Sequence, residues 1–154
     1  MAYVTAEARQ ELLDTVAEAT DELGAALAAI GEAYEQLDER SADVLEERLF
    51  RPVQLAFGRA RRTHDEFAAR VGHDTRTFAP DLKGRLAPSH GVRGFLELAV
   101  DAIEQSEAIL VELQDSMSPV EVGDAELRAG LADVREILAP LGDAANRFLS
   151  LLGR

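Results

Sequence analysis

Leu127, Leu131, Val134, Leu138, Leu141, Ala145, Phe148 and Leu152 recur at alternating steps of four and three. That spacing draws one apolar stripe along a helix over about 124–152, and such a stripe has to be buried against other helices. A second stripe predicts a helix over about 5–37. Val16, Leu23, Ile30 and Leu37 take one heptad position, and Leu12, Ala19, Ala26 and Ala33 the other seam position. Leu13, Thr20, Leu27 and Tyr34 widen the sector beyond what a two-stranded seam needs, while Glu11, Asp14, Glu18, Asp21, Glu22, Glu32 and Glu35 fall outside it. Gly24 and Gly31, one heptad apart on its edge, invite close approach of another backbone, inside the bundle or across a dimer, or else of a cofactor pressed on that face.

Two further helices follow from the same reasoning. Over about 42–71 the apolar positions are Leu45, Leu49 and Phe50, then Val53, Phe57, Ala60, His64, Phe67 and Val71. Pro52 removes an amide donor inside this stretch and predicts a kink around 48–51. Over about 91–116 the stripe is Val92, Leu96, Ala99, Ile103, Ser106, Leu110, Leu113 and Met117, with Leu98 and Val111 off the seam and expected to be exposed. Thr5, Ser41, Ser89 or His90, and Asp124 are the expected N-caps, and Gly72 the expected stop of the second helix. Pro140 falls on the solvent side of the last helix, where it should bend the rod without breaking it. The link 72–90 is long for a compact domain. Pro80 could start a short helix over 81–86, anchored by Phe78, Leu82 and Leu86, with the link crossing one end of the bundle or spanning its length. The expected fold is an all-α, antiparallel, up-down-up-down four-helix bundle with a long link between helices 2 and 3, forming a single domain over 1–154.

Composition narrows the function classes. With 154 residues, no cysteine and only 5% aromatic residues, the chain has room for a core but none for disulfides, zinc–thiolate sites or thiol catalysis. No segment resembles a signal peptide or a membrane span, which makes a cytoplasmic protein without membrane contact the default expectation. A net charge of −13 argues against nucleic-acid binding by the surface as a whole. The charge is uneven: residues 48–93 hold ten Arg or Lys against four Asp or Glu, and the remainder six against twenty-five.

Three groups carry candidate chemistry. Carboxylate-rich helices suggest a ferritin-like di-iron site, but such sites use Glu-x-x-His pairs. The chain has none, so no metal and no cofactor is expected. His64 sits on the apolar seam, which makes it either a core histidine bonded to a residue such as Ser106 or Tyr34, or a ligand-contacting or proton-transferring group. Finally, His73, Arg76, Lys83, Arg85, His90 and Arg93 cluster in the link and beside the start of helix 3, where free amides favour anions. His64, Arg76, Arg85, His90 and Arg93 are therefore the candidate ligand-binding residues.

Arg59 and His64 spell Arg-x4-His, which resembles the catalytic motif of HEPN-type ribonucleases, small helical bundles that usually dimerise. The resemblance implies that Arg59 would hold a scissile phosphate and His64 would assist proton transfer in RNA cleavage. It covers two residues. Ala60 stands where that family prefers a polar residue, and the motif lies earlier in the chain than is usual there. The function expected first is non-catalytic, an interaction or assembly protein working through helical faces as a homodimer or with another protein. The alternatives are the ribonuclease and a small-ligand binder with an apolar or anion-holding site near the 72–90 link.

Overall fold

The computed structural model describes residues 2–87, 89, 91–122 and 124–152. Helices make up nearly all of it: α1 (Ala2–Glu35), α2 (Glu39–Leu45), a π turn (Glu46–Phe50), α3 (Arg51–Arg70), α4 (Val92–Asp115), α5 (Ser118–Val122), α6 (Ala125–Leu138) and α7 (Leu141–Leu152). No strand occurs among the described residues. The protein is an all-α helical bundle of four rods, formed by α1, α2–α3, α4 and α6–α7.

The stripes are buried as their spacing requires. Leu12, Val16, Leu23 and Ile30 of α1 join Leu49, Val53 and Phe67 of the second rod, Leu96 and Leu110 of α4, and Leu127, Leu131 and Leu138 of α6 in one core. Met117 departs from its stripe: it lies beyond the end of α4 with φ 65° and is half exposed.

The direction of the third rod differs from the expected up-down-up-down order. Ser106 of α4 donates to the Ala19 carbonyl of α1 at 2.8 Å, and a Cβ on Gly91 would lie 3.7 Å from Gln36. The N-terminal end of α4 therefore sits at the C-terminal end of α1. Phe57 reaches Gly24 of α1, and His64 borders Leu13 and Ala17, so α3 is also antiparallel to α1. Arg59 bonds Asp133, and Arg70 bonds Asp124, which sets α6 antiparallel to α3. Arg135 of α6 bonds Gln114 near the end of α4, and Arg93 near the start of α4 donates to the Leu149 carbonyl of α7, so the fourth rod runs opposite to α4. Neighbouring rods are thus all antiparallel, while α3 and α4 sit diagonally and point the same way. The order is up-down-down-up, with one long crossover.

The link is what permits this. It lies against the middle of α1 as a strap and continues to the C-terminal end of that helix: Arg76 and Lys83 each bond Asp21 at 2.9 Å, Arg85 bonds Glu22 at 2.6 Å, the Asp81 amide donates to the Gly24 carbonyl at 3.3 Å, and Gly91 lies beside Gln36. Phe78 is its apolar anchor, only 6% exposed. The helix expected over 81–86 is absent. Asp81 instead accepts from the Lys83 amide in a turn that passes through positive φ at Lys83 and Gly84, and Leu86 is 89% exposed.

Several boundaries move for local reasons. Thr5 falls inside α1. Asp38, not Ser41, caps α2 by accepting from the Ser41 amide, and Gly91 with φ 96° precedes α4. His90, the other expected cap, lies outside the described residues. The kink expected at Pro52 is a π turn. Proline has no N–H for the carbonyl one turn back and its ring crowds that carbonyl, and a wider turn closed by the Arg51 amide on the Glu46 carbonyl relieves both. Pro140 does more than bend its rod, because α6 ends before it and α7 begins after it.

Two grounds for self-association are taken up within the chain. Leu98, expected to be exposed, is only 9% exposed, and the wide apolar sector of α1 is covered within the chain except at Tyr34, which is 37% exposed. No helix of the described residues is long and apolar enough to cross a membrane.

Candidate functional site

The site is a cleft of about 500 Å³ between the first half of α1, the end of α3 and the start of the strap. Asp14, Glu18 and Asp21 stand at i, i+4 and i+7 on one face of α1, the spacing that aligns side chains on a helix. His64 comes from α3, and His73, Asp74 and Arg76 come from the strap. Leu13 and Ala17, both buried, form an apolar part of the wall.

His64 is 4% exposed. Its Nδ1 lies 2.9 Å from Asp65 Oδ1, and the same oxygen accepts the Arg76 amide at 3.2 Å. The Asp65 carboxylate thereby fixes the orientation of the ring through Nδ1. No described residue bonds Nε2. The ring also meets Phe78 edge-on, with centroids 5.1 Å apart, and the Arg76 guanidinium lies 4.7 Å from the Phe78 ring centre. One arginine thereby ties the strap to α1 through Asp21, to α3 through Asp65, and to its own aromatic anchor. The partners expected for His64 are otherwise engaged or distant: Ser106 bonds Ala19, and Tyr34 sits more than three helical turns from the α1 residues beside His64.

The candidate ligand residues divide. His64 and Arg76 share the cleft. Arg85 is bonded to Glu22 further along the strap, and Arg93 to the Leu149 carbonyl on another face of the bundle, with Glu97 at 3.9 Å. The four do not converge on one anion, because the acids of α1 and the end of α7 hold these cations. His90 lies outside the described residues.

Arg59 and His64 are not brought together either. Five residues on an α-helix turn through about 140°. Arg59 accordingly faces α6, with two of its nitrogens on Asp133 Oδ2 at 3.0 and 3.2 Å, while His64 faces α1. The pairing that the ribonuclease motif requires is not made within this chain. Among the described residues no three His, Asp or Glu side chains form a set that could hold a metal ion.

The residues that sequence reasoning passed over are Asp65, Asp14, Glu18, Asp21 and Asp74. Periodicity assigns all the acids of α1 to a solvated face, and all of them but the half-buried Asp21 and Glu22 are indeed exposed. The available signal was the match between an acidic i, i+4, i+7 row on α1 and the basic strap. Comparison of the chain with family models, with curated proteins and with solved structures finds no match in any of the three.

Proposed function

We propose that this protein acts by binding and not by covalent chemistry, and that the cleft beneath the strap is its working site. The observation that carries this reading is His64: a buried ring, with one nitrogen held by Asp65 and the other unpartnered, bordering a cleft within the usual size range of small-ligand sites, about 300–1,000 Å³. A small-molecule screen read by protein NMR tests it. Binders should shift the resonances of His64, His73 and Arg76 together. A chemically broad set of small molecules that leaves all three unmoved would remove the reading.

A second reading keeps the expected interaction role and gives it a surface. On α4, Glu104, Glu107, Glu112 and Asp115 rim the apolar side chains of Ala108 and Val111 in a shallow groove. None of the four acids makes an ion pair among the described residues. Such a groove suits a basic amphipathic helix of a partner protein. A Lys/Leu amphipathic peptide should perturb the α4 resonances and lose its effect with Val111→Lys. An unchanged response in that variant would refute the docking. The basic strap is engaged within the molecule and so offers no complementary face to a second copy, and light scattering should report a monomer.

A further inference from the structure

A pocket of about 190 Å³ lies between the C-terminal end of α1 and the π turn, and its walls share no residue with the cleft under the strap. Gly31, Tyr34 and Glu35 stand at i, i+3 and i+4, so one face of α1 forms one wall. Glu46 and Phe50, the first and last residues of the π turn, form the other. We infer that this pocket binds a quaternary ammonium group, the head of a choline-type molecule or a trimethylated lysine side chain. Its volume is below the roughly 300–1,000 Å³ of sites for drug-sized ligands, so it takes one compact group and not a whole molecule of that size.

The chemistry of the walls selects both the charge and the outer surface of that group. Tyr34, 37% exposed, and the half-buried Phe50 bring two aromatic rings. Ring faces attract a cation electrostatically, more strongly as water is displaced, and quaternary ammonium is a form that aromatic pockets favour. Glu35 and Glu46 add two carboxylates. Among the described residues Glu35 makes no ion pair, and Glu46 meets only the exposed Arg51, at 3.8 Å. An anion would therefore be repelled. A neutral apolar group would strip water from the carboxylates and return nothing. A primary ammonium is strongly hydrated through its three N–H donors, and aromatic rings replace that water poorly. Methyl groups on a cationic nitrogen lie against the rings while the carboxylates balance the charge. The space is open at Gly31, where a Cβ would meet nothing within 4 Å.

Titration of the full chain with choline chloride, against sodium chloride at matched ionic strength and followed by the ring signals of Tyr34 and Phe50 in NMR spectra, tests this. A trimethyllysine peptide run beside choline separates a free small molecule from a modified side chain, and saturable binding of either at Tyr34 supports the group assigned. 3,3-Dimethyl-1-butanol has the shape of choline without its charge and should bind roughly five- to tenfold more weakly. Tyr34→Leu keeps an apolar wall at an exposed position and should weaken choline by a similar factor. Gly31→Leu fills the space and should abolish binding, while Gly58→Leu on α3, where a Cβ also meets nothing within 4 Å, should leave it unchanged. If Gly31→Leu does not fold, Tyr34→Leu decides alone. Choline and peptide shifts that do not saturate, a neutral alcohol that binds as tightly as choline, or choline binding untouched by Tyr34→Leu each overturn the assignment. So does choline that moves His64 and leaves Tyr34 unmoved, which would put the cation in the cleft. Failure at Tyr34 alone leaves the reading of the cleft standing, since the two sites share no residue.

Discussion

Asp124 does two things with one carboxylate. It caps α6 by accepting the Leu127 amide at 2.8 Å, and it takes Arg70 of α3 through two bonds of 2.7 and 2.9 Å. The Arg70 hydrogen bond first, and the Leu127 amide with it, hold its carboxyl below the usual carboxylate range against the opposing effect of burial. A depressed pKa contributes stability that is present above the unfolded value of about 3.9 and is lost as pH falls through the folded one. Asp124→Asn keeps a capping side chain and removes the charge. Urea denaturation should therefore show the variant less stable at pH 7, by about 1 kcal/mol for a partly exposed pair with a shared cap. The gap should be smaller at pH 3 than at pH 7. An equal gap at both pH values would show that the charge is not what matters. At this scale the sequence was partly legible. Asp124 and the seam position of His64 follow from spacing alone. The partner of His64 does not, because hydrogen bonding to Asp65, its neighbour in the chain, depends on side-chain torsions that periodicity does not encode.

Gly24 and Gly31 look alike in the sequence, one heptad apart in α1, and the elements around them make them different. A Cβ on Gly24 would lie 3.0 Å from the Ala79 carbonyl oxygen of the strap, whereas one on Gly31 meets nothing within 4 Å. Glycine inside a helix costs roughly 0.5–1 kcal/mol relative to alanine. Gly31→Ala should raise the stability of the protein by about that amount in urea denaturation, while Gly24→Ala should gain nothing or lose stability, because strap backbone has to give way. Equal gains at both positions would mean that the strap does not press on α1. The contact of α3 with α6 gives a stronger case. A Cβ on Gly130 would overlap Thr63, whose hydroxyl is bonded to the Arg59 carbonyl at 2.7 Å. Gly130→Ala should destabilise by about 1–3 kcal/mol, as overpacking does. Phe78 anchors the strap, and Phe78→Ala should cost about 3–5 kcal/mol by thermal or urea unfolding. A loss below about 1 kcal/mol would show the anchor to be loose. The rods themselves were legible from their stripes, and Pro52 marked its irregular turn. The strap's path was not, since a segment without periodicity carries its information in contacts with α1 that only the fold brings together.

For the whole molecule, the order of the rods is what creates the cleft. Apolar periodicity says which face of each helix is buried but carries no direction along the axis, and about twenty linking residues are long enough to turn back at one end or to run to the other. The sequence thus permitted both orders. The acids of α1 and the cations of the strap favour the second, because laying the link along α1 pairs them. That choice places α3 and α4 on a diagonal, covers the wide apolar sector of α1, and leaves Asp14, Glu18 and His64 around a space that short turns would not enclose. The absence of cysteine from the chain makes a direct distance measurement straightforward. Spin labels on cysteines placed at Ala69, near the end of α3, and Arg93, near the start of α4, report the order by double electron–electron resonance. The up-down-down-up bundle sets these positions at opposite ends, with labels separated by about 30 Å or more at 1.5 Å per helical residue. A principal distance below about 20 Å would place both at one end, restore the up-down-up-down order, and contradict the strap and the cleft together.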